Sequence, residues 1–123
     1  MKRIKLEEMA TDALVERFAE IGIAQDEALF HDQVSKYNRL FDKMVAVDDE
    51  LRRRGREARL ALVALHAHPN LQVRLQAARW TLGVAPAAAR RVLQKISDSK
   101  LYPQAGDAGM TLSNLDDGTF KPN

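Results

Sequence analysis

Residues 68–82 read HPNLQVRLQAARWTL. Pro69 cannot continue a helix arriving from the N-terminal side, because its ring removes a backbone donor and clashes with the preceding turn. Asn70 follows, and its side-chain oxygen suits a helix N-cap. From there Leu71, Leu75, Ala78 and Leu82 recur on one face at helical spacing. Ala77 and Ala78 are small enough to admit a neighbouring helix closely. Val73 and Leu75 flank that contact, and Arg74 can reach back to carbonyls of an adjacent turn. Gly83 closes the segment. The stretch predicts a helical hairpin whose second arm covers 71–82.

The chain on either side extends the same architecture. Residues 56–66 place Ala58, Leu62 and Leu65 in phase as the first arm. Pro86 sits where a first-turn proline belongs and opens a helix to about 97, with Ala89, Val92, Leu93 and Ile96 inward. After the break at Tyr102-Pro103, residues 104–115 put Ala105, Ala108, Leu112 and Leu115 on one face. Gly106 and Gly109 weaken that helix by about 1 kcal/mol each relative to alanine. Towards the N-terminus, residues 34–54 carry the stripe Tyr37, Leu40, Phe41, Met44 and Leu51, with Val45 and Val47 beside it. Gly55 ends that helix after Arg52, Arg53 and Arg54, cations that suit the unpaired carbonyls of a helix C-terminus. Residues 6–21 predict a first helix through Leu14, Phe18 and Ile21, stopped at Gly22, and residues 26–31 a short second one. The tail is expected to be irregular from about 116. No stretch alternates as a strand must. The reading is all-α, a single helical domain over 1–123 in which neighbouring helices pack antiparallel.

The skeleton of residues 68–82, Pro-Asn then Val-Arg then Ala-Ala then Leu, resembles the second helix of a HEAT or armadillo-type repeat. LALVALHAHP before it supplies the first arm, and PAAARRVLQKI after it begins the next unit. The whole chain also resembles a family of short bacterial proteins catalogued only as a domain of unknown function. That resemblance is carried by Tyr37-Asn38, Glu50-Leu51 before Arg54-Gly55, Ala58-Arg59, the 68–82 segment, and Ala108 with Met110-Thr111-Leu112, and it spans most of residues 12–122. It implies a short HEAT/armadillo-like antiparallel array, an irregular α-solenoid since one clean repeat is visible. It implies no activity.

The 123 residues include no cysteine, which excludes disulfides and thiolate metal sites and fits a reducing, cytoplasmic setting. MKRIKLEEMATD has no apolar run of the kind a signal peptide needs, and no stretch approaches the roughly 20 apolar residues of a membrane span. The net charge of +2 is unevenly distributed: residues 7–32 hold eight acids and one base, and residues 52–100 hold eleven bases and two acids. Such asymmetry concerns partners and steering, not fold.

Catalytic signals are missing. No nucleophile elbow, phosphate loop, dinucleotide fingerprint or HExxH occurs. His66 and His68 lie two apart, a spacing that does not share a helix face, so they are expected at an exposed helix end as caps and not as a zinc site. Asp48, Asp49 and Glu50 are expected to be a solvated stretch, with Asp48 pairing Arg52 and Glu50 pairing Arg54. Met9, Met44 and Met110 read as core filler. Trp80 suits core and groove equally. The cations Arg52, Arg53, Arg56, Arg59, Arg74, Arg79, Arg90 and Arg91, with Trp80, are the candidate partner-binding set; the competing reading is a solvated face. No cofactor is called for. The expected function is a non-enzymatic binding module for a protein partner, an immunity or regulatory protein being one version, acting as a monomer or weak homodimer. Nucleic-acid binding through a basic helical face is the alternative.

Overall fold

A computed structural model describes residues 5–123. Among these, every element is helical. The chain divides into two compact units, Met1–Ala61 and Leu62–Asn123.

The first unit contains a 3-10 turn, Leu6–Glu8, then α1, Thr11–Phe30, α2, Val34–Arg54, and the short α3, Arg56–Leu60. Here α1 departs from expectation. It is one helix of 20 residues that runs through Gly22 without stopping, so the expected breaks near 21 and 26 do not exist. Leu14, Phe18, Ile21, Gln25 and Ala28 are all buried and form one unbroken stripe. Gln25 disguised that stripe, being polar at a core position; its Nε2 donates to Met44 Sδ at 3.9 Å. Burying the stripe outweighs the cost of about 1 kcal/mol for a helical glycine. On α2, Met44, Val47 and Leu51 are fully buried, while Tyr37, Leu40 and Phe41 are only partly so. α2 stops where expected. Gly55 has φ of 108°, a conformation that side chains with a Cβ rarely adopt.

The second unit contains all but the first residue of a 3-10 helix, Ala61–Ala67, then α4, Leu71–Thr81, α5, Pro86–Ser99, and α6, Gln104–Asp116. The expected helix over 56–66 is thus α-helical only to Leu60. Beyond it Leu62 and Leu65 are buried three residues apart, one turn of the tighter helix. Asn70 caps α4 as anticipated, Oδ1 accepting from Val73 N at 3.1 Å. Pro86 opens α5 in its first turn. Leu75, Ala78 and Leu82 of the α4 segment, Ala89, Leu93 and Ile96 of α5, and Ala108 and Leu112 of α6 form one apolar core. Gly109 explains itself: a Cβ there would lie 3.3 Å from Ser97 Oγ, so its absence allows α6 to approach α5. Met110 is 64% exposed, which corrects its assignment to the core. The last helix ends at Asp116.

Candidate functional site

The arginines of the candidate set divide by environment. Arg52 Nε donates to Asp48 Oδ2 at 2.6 Å. Arg53 Nη2 and Arg54 Nε both donate to Glu50 Oε2, at 2.6 and 2.7 Å. Arg54 also reaches Thr11 Oγ1 at 3.3 Å and Leu6 O at 3.0 Å, tying the N-terminal turn to the end of α2. The pairs Asp48–Arg52 and Glu50–Arg54 are the expected ones. Their setting is not: Asp48 and Glu50 are buried, and only Asp49 is exposed, which corrects the view of a solvated stretch. Burial pushes the Asp48 carboxyl up against the pull of Arg52. Hydrogen bonds from Arg53 and Arg54 hold Glu50 down at about 2. Arg59 is itself buried, so it cannot belong to a partner-binding surface. Burial, then the like charge of Arg52, lowers its pKa. Arg56 remains exposed in this unit.

In the second unit Arg74 does reach back, donating through Nη1 to His68 O at 2.8 Å and Pro69 O at 3.0 Å. Arg90 pairs with Asp116. Arg91 and Lys95 are exposed one turn apart on α5, and Arg79 is partly buried.

The two histidines part company. His68 Nδ1 accepts from Asn70 N at 3.0 Å, completing the α4 cap. His66 is partly buried and lies 2.9 Å from Thr81 Oγ1, which corrects its placement at an exposed end. Thr81 Oγ1 donates to Ala77 O at 2.7 Å, which leaves its lone pairs open to a proton from His66 Nε2. Among the described residues no three His, Cys, Asp or Glu side chains gather as a metal site would require.

His66 instead lines a cleft of about 290 Å³. Leu71, Val92, Ile96 and Leu101 provide its apolar surface, and His66, Arg74, Lys95 and Ser99 its polar one. The helical period builds it: Val92, Lys95 and Ser99 share the face of α5 that turns towards Leu71 and Arg74 of α4. Ile96 belongs to the core, as expected, and Leu71 and Val92 pack against it, so these three reach the cleft only from its floor. Leu101, 57% exposed, was not anticipated. An exposed leucine between Lys100 and Tyr102-Pro103 was the signal available.

A family model matches residues 12–116. The chain belongs to the family described as Domain of unknown function (DUF2019). The crystal structure of the protein RPA1889 from Rhodopseudomonas palustris CGA009 is similar to it, with 52% identity, a TM-score of 0.94, and coverage of 98% of this chain and 100% of that one. No curated protein matches. In this DUF2019 chain Trp80 is partly buried and stands outside the lining of the cleft.

The pKa shifts predict how stability responds to pH. Burial disfavours the His66 imidazolium, so the unfolded chain takes up this proton first, and the histidine's contribution to stability is lost as pH drops below about 6.5. Glu50 acts lower: its contribution is present above 4.5 and is lost as pH falls towards about 2. Melting midpoints measured against pH should show the first decline in the wild type and a flatter profile in His66→Gln, whose amide can still donate to Thr81. Identical profiles would exclude the histidine as its source.

Proposed function

We propose that this protein is a non-enzymatic binding module that grips an acidic segment of a protein partner in the cleft of its second unit. The observation carrying this reading is the cleft's composition. Cations at Arg74 and Lys95, with Arg91 a turn away, border apolar surface from Leu71, Val92, Ile96 and Leu101. Concave sites lined by apolar groups with a few placed polar ones are the usual form of a binding site. A partner carrying carboxylates beside apolar side chains satisfies both parts.

Nucleic acid is less well served. Arg52, Arg53, Arg54 and Arg90 are paired with carboxylates and Arg59 is buried, so the basic segment offers fewer cations to phosphates than its composition suggests. We also read the second unit as HEAT-like, a helical hairpin followed by further helices. The complete burial of Ala77 and Ala78 supports that reading, because small residues let paired helices approach. A cytoplasmic setting is consistent with the lack of cysteine.

Isothermal titration at about 0.1 M salt tests the ligand class. An amphipathic helical peptide with glutamates one turn apart beside leucines should bind, and should bind more weakly to Arg91→Glu/Lys95→Glu. Tighter binding of a DNA duplex than of the peptide would favour nucleic acid and count against the proposal.

A further inference from the structure

We propose that the segment this cleft accepts is α1 of a second copy of the same chain. Along α1, Asp12, Glu16, Glu20, Ile23, Glu27 and Phe30 are all exposed. They follow steps of four, four, three, four and three residues, so they form one stripe down a single helix face. None of its four acids joins an ion pair among the described residues. Acids spaced by four repel one another and destabilise a free helix. Phe30, 84% exposed, and Ile23, 45% exposed, leave apolar surface on the same face.

The second unit presents the complement. Arg91 and Lys95 are four residues apart, the same one-turn spacing as Glu16 and Glu20, and both are exposed. Val92 and Ile96 lie beside them in the cleft lining. An α1 helix laid along α5 brings carboxylates to the two cations and Ile23 to the apolar surface. Each copy carries both halves of the contact, so a pair can make it twice, or a series can make it head to tail.

This inference rests on the cleft being a site for acidic segments. Its test separates the two ideas. Sedimentation velocity is run over a concentration series at about 0.1 M and about 1 M salt, where screening shortens from about 10 Å to about 3 Å. The wild type should associate at low salt and dissociate at high salt. Glu16→Lys/Glu20→Lys and Arg91→Glu/Lys95→Glu should each weaken association by about ten- to hundredfold, since each turns two attractions into repulsions. An equimolar mixture of the two variants should recover a 1:1 complex, because the unaltered stripe of one meets the unaltered cleft of the other; this also shows that both variants are folded. A wild type monomeric at every concentration, or a mixture that fails to pair, would overturn the proposal. If the chain stays monomeric while the acidic peptide of the preceding test binds, the cleft reading stands and self-recognition falls. Association that survives the α5 reversal overturns self-recognition through this cleft, while the cleft reading is decided by whether that variant still binds the acidic peptide.

Discussion

Phe18→Ala is expected to cost about 3–5 kcal/mol, the usual range for deleting a buried ring. Phe18 has no exposed surface, and it lies mid-stripe on α1, a turn from Leu14 and close to Ile21. Removing the ring forfeits its transfer free energy and leaves a cavity that helices held by Met44, Val47 and Leu51 can fill only by shifting. Since a typical domain is stable by only about 5–15 kcal/mol, this single change should remove a large share of the margin. Urea unfolding followed by circular dichroism should show a much lower midpoint with little change in slope. A midpoint within error of the wild type would mean that the α1 stripe does not form the core described.

Leu93→Ala is expected to cost about 2–5 kcal/mol. Leu93 is fully buried in the core of the second unit, between Ala89 and Ile96 on the inner face of α5. The same helix presents Val92, Lys95 and Ser99 to the cleft. Loosening its inner face should therefore weaken binding of an acidic peptide as well as the fold, although Leu93 lines no part of the cleft. Unfolding and titration of the one variant measure both effects. A large stability loss with unaltered affinity would show that the cleft does not depend on how α5 is seated.

The sequence was most readable where helix signals agreed with one another. Asn70 after Pro69, Pro86 at a helix start and Gly55 at a helix end each act through local backbone chemistry, and each does in the structure what its residue type implies. Reading failed where tertiary burial overrode a local cue. Gly22 looked like a stop and the polar Gln25 interrupts the apolar pattern, yet both are buried within one continuous helix. The acidic triplet misled for the same reason. Its spacing revealed the pairing with Arg52 and Arg54, but spacing carries no information on depth, and Asp48 and Glu50 are buried. The candidate site was legible only in part. Arg91 and Arg74 were marked as cations, whereas the apolar surface at Leu71, Val92, Ile96 and Leu101 depends on how α4 and α5 meet, which no linear spacing reports. Arg59 shows the opposite error, a charge assigned to a surface because charges usually lie there.

The most direct test of the cleft as the binding site is to map it by amide chemical shifts in the ¹⁵N-labelled protein as the acidic amphipathic peptide is added. The prediction is that perturbations centre on His66, Leu71, Arg74, Val92, Lys95 and Leu101, the cleft residues, and fade as salt rises. Perturbations confined to α1 and α2, or spread evenly over exposed cations, would contradict it.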